Sequence, residues 1–429
     1  MNGLKTNKAP HSSVVIPHFV FGAISFLILG VMLILAESNL LAAYFNNKII
    51  AITHMAVLGW GTIIIFGALY QLIPVVFEAA LFSEKLAKVT FWANVISILF
   101  LSYTFWIGSF TILLPYSAAL MFISLLLFAF NVFLTYKSAK LKTIKSKFVI
   151  TAIFWLIVTA LIGVLISYNF TFNFFTQIHL NYLKTHAIVG FVGWFLLLII
   201  GVGATLIPMF LVSHNVKDKK LNYSFYTINS ALIIFVLNGF TININALNVI
   251  SATLISIGIL LFVSFLYDSY KNRLRKKLDI GMQYTFLSIV AIAIPIFTTG
   301  IMFLSKTENF SQFYRIVTFF GFTIIFGFIT TLILGQTYKT LPFIIWLKKY
   351  QHLVGKTKTP LPKELYSIDI AKIQFMAYLL FIVNISIGLL LNSLWLIKIG
   401  SYLLLFVAIL YNINVLKILF HKPKNLNNE

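Results

Sequence analysis

Cysteine is absent from the 429 residues, which removes disulfides, thiolate metal centres and cysteine nucleophiles together. Acidic residues are scarce, ten against 32 Lys and Arg, and charged residues of either sign make up only 10% of the chain. A soluble domain could not cover itself with so little polar material. No Ser/His/Asp or paired-carboxylate constellation is visible, and no acid lies deep in an apolar run; Glu37, Glu78 and Glu84 all fall near segment ends. What the chain has instead is apolar length. Hydrophobic residues reach 60%, Phe alone numbers 44, and mean hydropathy is +0.98. These values describe a polytopic protein of the lipid bilayer, with no separate soluble domain and no cleavable signal peptide expected.

Twelve segments are long enough to span, at roughly 17–38, 49–75, 90–110, 112–136, 147–168, 185–212, 224–244, 246–267, 281–304, 314–338, 368–391 and 393–417. The loops between them alternate. One set is basic, from Lys5 and Lys8 through Lys137–Lys147, Lys217–Lys220 and Lys271–Lys277 to Lys424. The other is short and nearly uncharged, as in Gly108–Tyr116. Basic loops stay cytoplasmic, so both termini are expected inside the cell (inner) membrane. The net charge of +22 is mostly this orientation signal, and nucleic acid is not an expected partner. The longest connection, about 339–367, reads as an ordinary cytoplasmic loop.

One apolar segment recurs. Gly59-Trp60, Gly193-Trp194 and Gly327-Phe328 are each 134 residues apart, and so are Gly67, Gly201 and Gly335, and Pro74, Pro208 and Pro342. The recurring helix is the second of four spans in each period. It predicts internal repeats of about 17–136, 147–267 and 281–417 within a single membrane domain. The prolines are expected to mark the inner ends of spans two, six and ten, because proline cannot continue the hydrogen-bond ladder. Glycines eight apart share a helix face. They let a neighbouring helix approach closely, or equally a flat ligand.

His54 and His186 lie in the outer parts of spans two and six, each in a Thr-His pair. A histidine at such depth either bonds a neighbouring carbonyl or holds a ligand, and neutral imidazole suits haem iron and copper. His54 precedes its Gly-Trp by five residues and His186 by seven; two residues turn a helix by about 200°, so the rings leave on different faces. The third copy has no histidine. His179 is expected just outside span six and His18 at the start of span one. Trp60 and Trp194 read as packing residues.

Three sets of four spans, with histidine in the outer part of the second, resemble subunit I of the haem-copper oxidase superfamily. The run His54, Gly59-Trp60, Gly67, Pro74 is also similar to the second-span region of NnrS-type haem- and copper-containing membrane proteins. The resemblance implies an all-α integral membrane fold of about twelve helices in three four-helix pseudo-repeats. It implies a b-type haem on His54, with His186 as second axial ligand and Gly59 and Gly193 beside the cofactor. It further implies electron transfer or diatomic-gas chemistry, with a cytochrome or other respiratory subunit as partner. The pattern departs from a terminal oxidase. Span seven has no histidine, span ten has none, and His179 and Tyr182 are three residues apart rather than four. Copper therefore lacks a full ligand set, and the expected member is degenerate, binding one haem or a metal at His54 and His186. The competing reading is a twelve-span transporter without a cofactor.

Overall fold

A computed structural model describes residues 9–140, 142–214, 216–241, 243–304 and 309–422. Lys5, Lys8 and Lys424 of the basic segments lie outside these residues, as do both chain ends. Among the described residues, twelve helices are long and apolar enough to cross a membrane, making this a multi-pass membrane protein. They are α1 (Ser12–Leu35), α2 (Asn47–Val76), α3 (Glu84–Ile107), α4 (Leu114–Lys137), α5 (Ile144–Phe172), α6 (His179–Leu211), α7 (Lys219–Phe240), α8 (Asn245–Lys271), α9 (Ile280–Leu304), α10 (Phe310–Leu353), α11 (Ile368–Leu391) and α12 (Leu394–Phe420).

Several helices begin earlier than the apolar runs indicate, because their first turns are polar. α3 starts at Glu84, where the Ser83 hydroxyl accepts the Leu86 N–H at 3.1 Å. α6 starts at His179, so that residue lies in the helix rather than outside it. His18 sits almost two turns into α1, not at its start.

Pro74 and Pro208 stand in the last turn of α2 and α6, whereas Pro342 lies well inside α10. Each removes one ladder bond, a loss that a helix held by its neighbours can absorb. α6 stops at Val212, which takes φ +52° and returns its N–H to Met209. α10 continues past Pro342 to Leu353, which shortens the expected 339–367 loop to 354–367. Lys348 and Lys349 hid this extension from hydropathy. Lys349 donates to the carbonyls of Leu419 and His421 at 2.8 and 2.7 Å, and Trp346 Nε1 donates to Pro360 O at 2.6 Å.

The chain divides into two compact units. One comprises His11–Ala68 and Leu278–Glu429, carrying α1, α2 as far as Ala68, and α9–α12. Within it α11 and α12 form a tight hairpin. A Cβ on Gly400 would lie 2.5 Å from Ile385, and one on Gly388 2.8 Å from Ile397. α1 packs on α12, with Asn412 Nδ2 donating to Ala23 O at 2.9 Å. The other unit is built on Leu69–Lys277 and carries α3–α8. There Ser224 donates to Gly258 O across α7 and α8 at 2.8 Å, and Asn131 of α4 exchanges bonds with Ser83 ahead of α3.

Candidate functional site

α2 is started by Asn46. Its side-chain oxygen accepts the Ile49 N–H at 3.0 Å, and its amide donates to Ala43 O at 2.7 Å. Two turns further on stands His54, half-buried, with Nδ1 2.9 Å from Ile50 O on its own helix. A carbonyl can only accept, so Nδ1 carries the proton and the neutral ring keeps its lone pair on Nε2. Ahead of α2, Tyr44, Phe45 and Tyr314 of α10 form an aromatic triad with ring centroids 5.2–5.8 Å apart. Burial, and then Tyr314, push the Tyr44 phenol above its usual range.

His186 belongs to the other unit and is anchored differently. Its Nδ1 lies 2.9 Å from Thr159 O on α5, a neighbouring helix. Gly163 makes room for the ring, since a Cβ there would lie 2.9 Å from Cε1. The lone pair again falls on Nε2. His54 and His186 thus share a tautomer, while one bonds within its helix and the other across to α5.

Two further histidines acquire roles that spacing did not reveal. His18 is fully buried, with Nδ1 2.9 Å from Val14 O, the same tautomer once more. His179 is the same tautomer, engaged through its other nitrogen. Asn169 Oδ1 accepts the Phe175 N–H at 2.7 Å, which orients the amide, so Asn169 Nδ2 donates to His179 Nε2 at 2.8 Å. That nitrogen's lone pair is therefore spent. His179 also stacks on Phe170 at 4.7 Å and fastens the α5–α6 connection.

The recurring helices share a backbone feature absent from any residue rule. Met55–Thr62, Val189–Leu196 and Thr323–Thr330 are π-helical, each eight residues long and each starting 134 after the last. Such segments often accompany functional sites. Here the third copy has one without a histidine, so the widened turn follows the scaffold and not the ligand. In α10 the segment is held by side chains. Phe326 O accepts Tyr378 Oη at 2.5 Å and Thr331 Oγ1 at 2.7 Å, and Phe328 O accepts Ser288 Oγ at 2.8 Å.

The glycines have defined neighbours. A Cβ on Gly193 would lie 2.6 Å from Trp155 Cβ, so this position seats α5. Gly59 is buried inside its π segment beside Trp60. Trp60 is itself fully buried, stacked on Phe26 at 4.2 Å and edge-on to Tyr411 at 5.1 Å. Trp194 is also buried. Three contacts of one kind follow the later glycine. Gly67 faces His18 Cβ and Val15 O, Gly201 faces Phe148 Cβ and Lys145 O, and Gly335 faces Tyr284 Cβ and Gly281 O. In each, the carbonyl belongs to the residue three before the side chain.

Among the described residues, no three or more His, Asp or Glu side chains converge as a metal cage would need. The chain matches no protein-family model and no curated protein.

Proposed function

We propose that the chain is a haem-copper-oxidase-like integral membrane protein in which His54 Nε2 ligates a b-type haem. The carrying observation is the Nδ1–H bond from His54 to Ile50 O, which fixes the ring and leaves Nε2 as its basic nitrogen. A haem fits this donor set better than a bare ion does. Porphyrin supplies four nitrogens itself and asks the protein for one or two imidazoles, whereas a protein-caged ion needs three or four side chains together. His186, fixed on Thr159 O, offers a second imidazole in its own unit. Bound there, the iron supplies electron transfer or diatomic-gas binding, with a cytochrome or other respiratory subunit as electron partner.

The three aligned π segments and the three equivalent glycine contacts support an architecture of three four-helix repeats. The basic loops support cytoplasmic termini in the inner membrane.

The test is optical. Protein purified from haem-replete cells is expected to show a Soret band that disappears in His54→Ala, while His179→Ala keeps it. A folded wild-type protein without that band, or a band untouched by His54→Ala, overturns the proposal. Substrate-dependent uptake into proteoliposomes by the haem-free protein would then favour a transporter.

A further inference from the structure

The α11–α12 hairpin carries a shallow groove of about 410 Å³ on its outer surface. Its walls are Met376 and Leu380 of α11 with Leu403 and Phe406 of α12, and Ala377 is its floor. Met376, Leu380 and Phe406 are all exposed, at 59%, 52% and 44%. Exposed apolar side chains on a membrane span face hydrocarbon, so the groove opens toward lipid. Lys372 closes one end. That end is one turn inside the start of α11 at Ile368, and the end of a span is the level at which headgroups are expected.

The charges at this end have an order. Asp369 precedes Lys372 by three residues, with 3.6 Å between carboxylate and ammonium. Both side chains are open, 88% and 66% exposed, so each can meet a ligand. At ~1.5 Å per residue, Asp369 sits about 4.5 Å further from the hydrocarbon than Lys372. From Lys372 to Leu380 the groove descends about 12 Å, most of the ~15 Å depth of one leaflet. A cation on the inner side and an anion on the outer side match a headgroup with its phosphate deep and its ammonium shallow. The neutral glycerol of phosphatidylglycerol would offer no cation to Asp369. A quaternary ammonium could not donate a hydrogen bond to that carboxylate, whereas a primary ammonium can.

We propose that this groove is a binding site for phosphatidylethanolamine. One acyl chain lies along Met376, Leu380 and Phe406, the phosphate sits on Lys372, and the primary ammonium sits on Asp369. The proposal is independent of any cofactor.

Native mass spectrometry of the full-length protein in detergent tests it, with phosphatidylethanolamine, phosphatidylcholine and phosphatidylglycerol of identical acyl chains. One phosphatidylethanolamine is expected to be retained about tenfold more tightly than either competitor. Met376→Trp, which fills the groove, is expected to abolish that one retained lipid. Asp369→Asn should bring phosphatidylethanolamine down to the level of phosphatidylcholine, and Asp369→Lys should turn the preference to phosphatidylglycerol. All three substitutions are on exposed positions, and an unchanged melting temperature verifies the fold. Equal retention of the three lipids by the wild type, or retention unaltered by Met376→Trp, overturns the proposal.

Discussion

Alanine at Gly335 is expected to destabilise the protein by about 2–3 kcal/mol, with alanine at Gly67 or Gly201 costing a similar amount. At Gly335 the new methyl would lie 2.6 Å from both Gly281 O and Tyr284 Cβ. At Gly67 it would meet His18 Cβ at 2.6 Å and Val15 O at 3.2 Å, and at Gly201 Phe148 Cβ at 2.7 Å and Lys145 O at 3.1 Å. Neither a backbone carbonyl nor a Cβ can rotate aside, so relief requires the helices to separate and surrender packing along their contact. Gly300 and Gly321 provide the control. Nothing lies within 4 Å of a Cβ at either, and alanine there should be neutral or stabilising by up to ~1 kcal/mol through helix propensity. Thermal unfolding in a fixed detergent reads both sets. A wild-type midpoint for Gly335→Ala would refute the close contact. Costs differing among the three positions by more than about 1 kcal/mol would argue against equivalent packing.

These glycines show what the sequence could and could not convey. Their spacing announced a close approach, but left a helix and a flat ligand as equal claimants. Trp155 against Gly193 and Tyr284 against Gly335 assign these two to helix packing. The twelve helices were legible because apolar length is a property of each segment alone. Polar first turns such as Ser83-Glu84, and the lysines that continue α10, were lost for the same reason. The π segment of α10 was invisible because side chains distant in sequence, Tyr378 and Ser288, engage its carbonyls. The places of His54 and His186 along their helices were readable, and their anchors were not. Ile50 is four residues from His54, but Thr159 is 27 from His186, and only the fold brings it near.

The replacement Gln374→Leu should cost about 3 kcal/mol, although it keeps much of the side-chain volume and adds apolar character. Gln374 is fully buried on α11 and joins three helices through one amide. Its Oε1 accepts Tyr338 Oη of α10 at 2.5 Å, and its Nε2 donates to Tyr284 Oη of α9 at 3.3 Å. Asn414 of α12 adds a fourth helix, donating to Tyr338 Oη at 3.1 Å and accepting the Ser367 N–H at 3.0 Å. Hydrogen bonds between membrane helices average only about 0.6 kcal/mol, because the unfolded chain in lipid also finds partners. The larger figure applies here because leucine would remove the acceptor of one buried phenol and the donor to another, stranding both at about 1–3 kcal/mol each. Tyr338→Phe should cost less, about 1–2 kcal/mol, since it leaves Gln374 Oε1 without its donor while Asn414 Nδ2 keeps Ser367 O at 3.2 Å. The double variant Tyr338→Phe/Gln374→Leu then distinguishes network from isolated contacts. With no phenol at 338 to strand, its cost should fall short of the sum of the singles by about 1–2 kcal/mol. Strict additivity would mean that the amide and the phenol stabilise their helices independently.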